Sequence, residues 1–295
     1  MRELASAGQS VRWLGDLALC DGPPRALAWP AEIFADAEAV SIASIGDAAR
    51  QLRARQRNWV HLSLEHHRRG ELIAEKLPHF RAKAFRFGDS VPDAPLGHFG
   101  LLDANTLLVL PRGRSGVARG EFLFEENHDG PPSRAYLKLW EAFTRIGLRP
   151  APGETCVDLG GSPGGWSWVL LQLGARVIAV DKAPLDDALC AHERLTVLQQ
   201  SAFAPLPTEC ERADWLLSDV ICYPERLLRL IEERLARPDP PSIVATIKFQ
   251  GEAQPEIAER FAAIPGARVV HLSHNKHELT FVRLRDTLGV TPSHL

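Results

Sequence analysis

The sequence predicts an α/β protein whose C-terminal half is a mostly parallel sheet with helices on both faces. Residues 155–181 contain a strand, a glycine turn, a helix and a second strand in direct succession. From 195 to 264, short apolar strands alternate with helical patterns, the order that builds a parallel sheet. Two final apolar runs, 267–273 and 278–284, are joined by HNKH, a link too short for a parallel crossover. One strand of the sheet is therefore expected to run antiparallel.

The elements of this half follow from periodicity and from Gly and Pro punctuation. We predict a helix over 133–146, strands over 155–159 and 176–180 around a helix that ends at Gly174, a strand over 195–198, a strand over 213–218, a helix over 224–235, a strand over 242–248, a helix over 252–264, and the two closing strands. The polar stretch ENHDGPP marks a boundary. We expect a smaller α+β domain over 1–125, a linker over 126–132, the larger domain over 133–286 and a tail over 287–295.

Composition excludes several classes of protein. With 295 residues and 45% hydrophobic content the chain can bury a substantial core, and a net charge of −3 gives no global basic field. Its five cysteines are scattered without a CxxC pair, which favours reduced thiols in the cytoplasm over a disulfide framework or zinc site. No run of 18 apolar residues occurs, and charges interrupt the N-terminus, so neither membrane insertion nor export is expected.

The glycine turn after the first predicted strand indicates a nucleoside site. Asp158 lies in the strand and Gly160 follows it, where the chain must reverse. Ser162 is predicted as the N-cap of the next helix and Pro163 as its first residue. Asp181 ends the second strand about 20 residues on, where an open α/β sheet places an acid against a ribose. The segment is therefore expected to bind the nucleoside part of a cofactor.

The turn favours S-adenosylmethionine over a dinucleotide. Counting from Gly160, the third position of the dinucleotide fingerprint is Ser162 instead of glycine, and Pro163 follows where the backbone should approach a pyrophosphate. A helix N-terminus suits the carboxylate of a methionine moiety as well as it suits phosphate. The predicted cofactor-binding residues are Asp158, Gly160, Gly161, Ser162, Pro163, Gly164, Gly165, Trp166, Asp181, Ser201 and Asp219.

Charged residues at strand ends are the candidates for chemistry, because ligands of open α/β sheets bind beyond the carboxyl ends of the strands. Asp219 follows WLLS, Lys248 ends IVATIK and Glu278 opens the last strand. For a single charged residue, a solvated position is the commoner explanation. Lys248 is the exception, since a lysine in a strand expected to be buried needs a partner.

Six motifs, PPSRAYLKLWEAF, DLGGSPGGWSWVL, VIAVDKAPLD, SDVICYPERL, ATIKF and HELTFVRL, resemble in order those of the FtsJ-like ribose 2'-O-methyltransferases, over about residues 125–285. The resemblance implies a Rossmann-like class I fold that uses S-adenosylmethionine. It also implies a Lys-Asp-Lys-Glu tetrad at Lys138, Asp219, Lys248 and Glu278. The motifs look most like those of members that methylate a cytidine ribose in bacterial large-subunit (23S) rRNA. The implied partner is structured RNA, either 23S rRNA or a ribosomal assembly intermediate.

The tetrad suits methylation of a hydroxyl. A neutral ribose 2'-hydroxyl is a poor nucleophile, so it must lose its proton as it attacks the methyl group. We expect Lys248 to accept the proton, Asp219 and Glu278 to orient the groups, and Lys138 to stabilise the developing charge, with no metal required. The alternatives are a methyltransferase for tRNA, a small molecule or a protein, a noncatalytic RNA-binding protein on the same fold, and an NAD enzyme.

Several residues invite a second explanation. Ser201 stands where FtsJ-like members often carry an acid that contacts the adenine amino group. His271, His274 and His277 repeat every three residues, yet a polar turn is favoured over a metal site. Trp166 is expected to pack in the core instead of stacking on a base.

Basic residues in the first 125 positions indicate an RNA-backbone surface. Between Arg53 and Arg86 the chain has nine lysines or arginines against three acids, interleaved with histidines and aromatic residues. PRGRSGVARG adds a second basic segment that we expect to form a loop over the RNA path. The alternative is an ordinary solvated helix. The predicted RNA-binding residues are Arg53, Arg57, Arg68, Arg69, Arg81, Lys83, Arg86, Arg112 and Arg114.

Overall fold

A computed structural model describes residue 3 and residues 10–22, 27–251 and 254–285 of the chain. The chain divides into two compact units. The N-terminal unit contains the described residues up to Phe85 together with Asp89–Leu123. The C-terminal unit contains Arg86–Gly88 and the described residues from Phe124 onward. The predicted tail over 287–295 lies outside the described residues.

The described part of the N-terminal unit combines a hairpin and a small sheet with two helices of eight residues or more. Its elements are β1 (Val11–Leu14), β2 (Leu17–Cys20), β3 (Glu38–Ser41), α1 (Ile45–Arg55), β4 (Asn58–His61), α2 (His67–Ala74), β5 (Leu96–Asp103) and β6 (Thr106–Leu110). β1 and β2 form a hairpin. The other strands form a sheet of order β3-β6-β5-β4, in which β4 and β5 are parallel. Leu52 and Ile73 from the two helices pack on Phe99 and Leu107 of the sheet, and this forms the core of the unit.

The C-terminal unit is built on a seven-stranded sheet. Its elements are α3 (Tyr136–Ile146), β7 (Thr155–Leu159), α4 (Gly165–Gln172), β8 (Arg176–Asp181), α5 (Asp187–Cys190), β9 (Leu195–Gln199), α6 (Thr208–Glu211), β10 (Trp215–Ser218), α7 (Pro224–Leu235), β11 (Ser242–Lys248), α8 (Pro255–Ala262), β12 (Ala267–Val270) and β13 (Glu278–Arg283). The strand order is β12-β13-β11-β10-β7-β8-β9. β13 alone runs against its neighbours, so the predicted mostly parallel sheet with one antiparallel strand is confirmed.

Most element boundaries agree with the sequence pattern. α7 and β11 have the predicted bounds. α3 begins at Tyr136 instead of residue 133, and β10 begins at Trp215 instead of residue 213. The short helices α5 and α6 were not predicted, because four residues are too few to show a helical period. No helix among the described residues is long and apolar enough to cross a bilayer.

The predicted N-terminus of α4 is wrong by two residues. The helix begins at Gly165, and its N-cap is Gly164 with φ of 122°. Ser162 and Pro163 lie before the helix, joined by a cis peptide bond. The Ser162 hydroxyl donates to the Pro184 carbonyl (2.8 Å) and is therefore not used as a helix cap.

Candidate active site

The sheet brings three of the four predicted catalytic residues to one edge. Asp219 follows β10 and Lys248 ends β11, two neighbouring parallel strands. Glu278 is the first residue of β13, and it is paired directly with Lys248 in the antiparallel register. Because β13 is reversed, its beginning lies beside the ends of the other two strands. The fourth residue, Lys138, comes from α3, where it is the one residue that is not fully buried.

The four side chains form one continuous ion network. Lys138 Nζ lies 2.6 Å from Glu278 Oε2 and 3.3 Å from Asp219 Oδ1. Lys248 Nζ lies 3.1 Å from the same Asp219 oxygen and also donates to the Asp219 backbone carbonyl. The side chains are between 14% and 18% exposed. Asp219 is therefore shared by both ammonium groups at a place that solvent still reaches.

The charges of this network balance. Two ammonium groups face two carboxylates, so the cluster avoids the cost of an unpaired buried charge. At this low exposure each contact is screened less than an ion pair on the surface. The arrangement holds two amines in fixed positions next to an open edge of the sheet. Fixed donors of this kind are suited to stabilise charge that develops on a reacting atom.

The glycine turn lies at the end of β7, next to β10. Gly160 has φ of 79° and its N–H donates to the Val180 carbonyl (2.9 Å). A Cβ atom at Gly160 would lie 2.6 Å from Cα of Val220, so no other residue fits. A Cβ at Gly161 would lie 3.3 Å from Asp158 Oδ2, which is a tight contact. The turn is thus specified by its packing as well as by its dihedral angles.

Asp181 holds the turn in place. Its Oδ2 accepts a hydrogen bond from the N–H of Ser162 (3.0 Å), and its Oδ1 accepts one from the N–H of Ala183 (2.9 Å). Each carboxylate oxygen has more than one acceptor position. Asp181 is partly exposed and can therefore accept further hydrogen bonds from a ligand.

Asp158 lies under the turn and is fully buried. The Ser167 hydroxyl donates to its Oδ2 (2.6 Å), whereas Oδ1 has no hydrogen-bond partner. Burial raises the pKa of Asp158 to about 7, and the negative charges of Asp219 and Asp181 act in the same direction, against the Ser167 hydrogen bond. The site therefore contains a carboxyl group that can carry a proton near neutral pH.

The remaining predicted cofactor residues differ in how they pack and in their hydrogen bonds. Trp166 is buried and its indole N–H donates to the Ala135 carbonyl (2.9 Å), so its ring belongs to the core. A Cβ at Gly165 would meet Ser133 Oγ at 2.5 Å, and one at Gly164 would collide with Leu189. Ser201, beyond the end of β9, accepts a hydrogen bond from the N–H of Phe203 (3.2 Å).

The predicted RNA-binding residues are divided between the two units. Arg86 belongs to the C-terminal unit and pairs with Glu125 (2.9 Å), whereas the other eight belong to the N-terminal unit. Arg53 donates to the Lys76 carbonyl (2.8 Å) and Arg68 pairs with Glu71 (3.1 Å). Arg69 is partly buried, and Arg57, Arg81, Lys83, Arg112 and Arg114 are exposed.

The structure adds one residue that sequence reasoning missed. Glu141, one turn after Lys138 in α3, is fully buried. It accepts hydrogen bonds from Arg145 (2.9 Å) and from the N–H of Ser273 (2.8 Å), and it pairs with His274 Nδ1 (2.8 Å). Burial acts to raise the pKa of Glu141, but these partners outweigh it and the pKa lies below its ordinary value. Glu141 therefore anchors the loop that leads into β13.

The three histidines of this loop do not converge. His274 contacts Glu141, His271 Nε2 lies 3.1 Å from the Lys276 carbonyl oxygen, and His277 is exposed. Within the described part of the chain, no group of three His, Cys, Asp or Glu side chains could hold a metal ion.

Comparison with known proteins finds similarity that lies mainly in the C-terminal unit. The family model described as FtsJ-like methyltransferase matches residues 131–272. The protein named Ribosomal RNA large subunit methyltransferase M from Alkalilimnicola ehrlichii is 34% identical over 171 residues, which are 54% of this chain and 47% of the relative. Its namesake from Halorhodospira halophila is 34% identical over 157 residues, 50% of this chain and 46% of the relative. The alignments thus span about half the length of each relative.

Among solved structures, one methyltransferase is similar to part of this chain. The 1,6-didemethyltoxoflavin-N1-methyltransferase of Burkholderia thailandensis aligns at 19% identity with a TM-score of 0.36, covering 54% of this chain and 80% of that one. The family match covers both the glycine turn and three members of the ion network, and the resemblance noted in the motifs is confirmed. Residues 131–272 of this chain are therefore similar to the FtsJ-like methyltransferases.

Proposed function

We propose that this chain transfers a methyl group from S-adenosylmethionine to a ribose 2'-hydroxyl in RNA, specifically of a cytidine in bacterial 23S rRNA. The observation that carries the proposal is the ion network of Lys138, Asp219, Lys248 and Glu278 at the edge of the sheet where the glycine turn also lies. The names of the curated relatives support large-subunit rRNA as the substrate. The proposed partner, on the same basis, is structured RNA, either 23S rRNA or a ribosomal assembly intermediate.

The residues around the glycine turn fit the cofactor. Asp181 has free acceptor positions for ribose hydroxyls, and Asp158 Oδ1 is a buried polar atom that lacks a partner. The turn from Gly160 to Gly165 has backbone N–H groups near the start of α4 that suit a carboxylate. When bound, S-adenosylmethionine supplies an electrophilic methyl group on a positively charged sulfur.

The ion network accepts the hydroxyl proton and stabilises the charge that develops on the 2'-oxygen. Lys248, once it has released its own proton to solvent, would take the proton of the 2'-hydroxyl as that oxygen attacks the methyl group that S-adenosylmethionine would supply. Asp219 accepts hydrogen bonds from both amines and fixes their positions. Lys138, held by Glu278 and Asp219, supplies positive charge beside the oxygen as negative charge develops on it.

The test is transfer of tritiated methyl groups from S-adenosylmethionine to rRNA from a strain that lacks the corresponding gene. We expect label on one nucleotide, mapped as a 2'-O-methylated cytidine of 23S rRNA. Lys248→Ala should lower the rate by at least about 100-fold, the usual effect of removing a general base. Lys276→Ala is the matched control, because Lys276 is an exposed lysine of the same unit, and its rate should stay within about twofold of the wild type.

Three outcomes would contradict parts of this proposal. Label on tRNA alone would overturn the rRNA assignment, and label on a base would overturn the ribose assignment. No label on any RNA, from a protein that binds S-adenosylmethionine by calorimetry, would overturn the RNA-methyltransferase activity itself.

A further inference from the structure

The N-terminal unit contains a cavity of about 440 Å³ that the proposed reaction does not use. Its walls come from β4, from the chain that follows α2 over 77–82, and from the short turn Ala118–Gly120 with the next residue. The volume lies in the range of sites that bind small organic groups, about 300–1,000 Å³. All of these residues belong to one unit, so the cavity is complete within it.

Two aromatic side chains give the cavity flat apolar walls. Trp59 is almost fully buried, and its indole N–H donates to the carbonyls of Leu52 (3.1 Å) and Gln56 (3.0 Å), which fixes the ring. Phe80 is partly buried and lines the cavity from the segment that follows α2. A planar aromatic group entering the cavity can stack on such a ring, as unpaired RNA bases do.

Arg119 is held in an unusual conformation at the cavity. Its φ of 57° lies in the left-handed region, which is rare for residues other than glycine. The backbone N–H of Arg119 donates to Nε2 of the buried His98 (2.9 Å), and its guanidinium donates to the His61 carbonyl (3.1 Å). One contact leaves most of the guanidinium N–H groups for an anion. Conformations of this kind are concentrated at functional sites.

Glu121 gives the cavity an acceptor beside this donor. Its carboxylate forms no hydrogen bond or ion pair with any other residue that the structure describes, and Glu121 is exposed. A carboxylate repels a bare polyanion but accepts hydrogen bonds from an exocyclic amine, as on cytosine. The cavity thus offers a cation, an acceptor and an aromatic face, the combination that a nucleotide with an amino-bearing base requires.

The chain outside the cavity has the charge that a polynucleotide would need. Arg81 lies within the lining segment 77–82 and Lys83 directly follows it. Both are exposed and form no ion pair with another described residue. Unpaired cations at this spacing can neutralise successive phosphates. This favours a nucleotide within a strand over a free nucleotide.

We propose that the cavity binds one unpaired nucleotide of the RNA substrate. Its phosphate contacts Arg119, its base stacks on Phe80, and an exocyclic amine of the base donates to Glu121. This proposal depends on the proposed function in one respect: the RNA that enters the cavity is taken to be the RNA that accepts the methyl group. A free cytidine monophosphate could make the same three contacts, and the experiment distinguishes it from a nucleotide within an RNA strand.

The experiment measures binding of the full chain to fluorescein-labelled single-stranded RNA hexamers by anisotropy at fixed salt. We expect oligo(C) to bind more tightly than oligo(U), which has no exocyclic amine. Phe80→Ala and Arg119→Gly should each weaken oligo(C) binding by about tenfold, within the range for loss of one stacked base or one phosphate contact. Glycine is used because it accepts the φ of Arg119 without strain. Glu121→Gln should remove most of the preference for oligo(C).

The control is Arg50→Ala, which removes one positive charge from an exposed side chain of the same unit that does not line the cavity, and alanine is tolerated in the interior of helix α1. Its oligo(C) affinity should stay within about twofold of the wild type. Retained S-adenosylmethionine binding and an unchanged melting temperature show that each variant is folded. Equal oligo(C) affinity of the wild type, Phe80→Ala and Arg119→Gly would overturn the proposal. Binding of cytidine monophosphate as tight as that of oligo(C) would overturn the assignment to RNA in favour of a free nucleotide.

The outcome is independent of the proposed catalysis. If Lys248→Ala abolishes methyl transfer but the cavity variants bind oligo(C) normally, only the cavity proposal fails. If no RNA is methylated but oligo(C) binding depends on Phe80 and Arg119, only the proposed reaction fails.

Discussion

Replacement of Asp158 by asparagine is expected to stabilise the folded protein, and to do so more strongly as pH rises. The carboxyl is fully buried, one of its oxygens has no partner, and its pKa is raised from 3.8 to about 7. Asparagine has nearly the same shape but no charge to bury. In the wild type the Ser167 hydroxyl donates to Asp158, and the amide oxygen of asparagine can accept the same hydrogen bond.

The magnitude follows from linkage between protonation and folding. Between pH 3.8 and about 7 the unfolded chain has lost the proton of Asp158 while the folded chain keeps it. Wild-type stability therefore falls as pH rises through this window, by about 1.4 kcal/mol per pH unit. The total is on the order of 4 kcal/mol, an upper bound because a buried site relaxes when it is charged. The advantage of Asp158→Asn should thus grow from near zero at pH 4 to its maximum above pH 7.

The assay is urea unfolding of both proteins between pH 4 and pH 9 without cofactor, followed through the fluorescence of tryptophan. Comparing the variant with the wild type cancels the titration of every other group. Ser167→Ala provides an internal check: because the Ser167 hydrogen bond lowers the pKa of Asp158, its loss should move the stability change to higher pH. A stability difference between Asp158→Asn and the wild type that does not vary with pH would refute the reasoning.

Three further predictions follow from single contacts. Gly160→Ala should cost about 2 kcal/mol of stability in urea unfolding, because φ is positive and the new Cβ would meet Val220. Burial lowers the pKa of His98 from 6.5 to about 4, so between these pH values only the unfolded chain gains a proton. As pH falls through that window, the wild type should therefore lose about 3 kcal/mol of unfolding free energy relative to His98→Gln. A double-mutant cycle of Lys138→Met and Glu278→Gln should give a coupling energy of about 1–3 kcal/mol; additive effects would contradict the 2.6 Å contact.

Much of the C-terminal unit was predictable because its local signals agree with its tertiary packing. The strand of IVATIK is buried up to its final residue, so apolar content alone places Lys248 at the edge of the sheet. The short HNKH link forces an antiparallel return, and the register of β12 with β13 confirms this. The catalytic roles of these residues stay predictions until they are tested.

The parts that sequence could not predict depend on contacts between distant residues. Lys138 lies in a helix that also contains Glu141 and Arg145, and nothing in the helical pattern separates the lysine that meets Asp219 from the glutamate that is buried. Ser162 has the residue type of an N-cap, but its hydroxyl is used by a carbonyl 22 residues away. The cavity around Arg119 joins three separate segments of the N-terminal unit, and none of them has a recognisable motif.

The reversal of β13 is what makes the ion network possible. In a parallel strand, the first residue lies at the opposite edge of the sheet from the ends of its neighbours, and the five steps of β13 would separate Glu278 from Lys248 by about 17 Å. The antiparallel direction instead puts the two residues in direct register. The loop before β13 is fixed at both ends, by Glu141 at His274 and by the Asn275 amide, which donates to the Glu278 carbonyl (3.2 Å). Because Glu141 lies one turn from Lys138 in α3, the same helix that supplies one amine of the network also anchors the loop that supplies its second carboxylate.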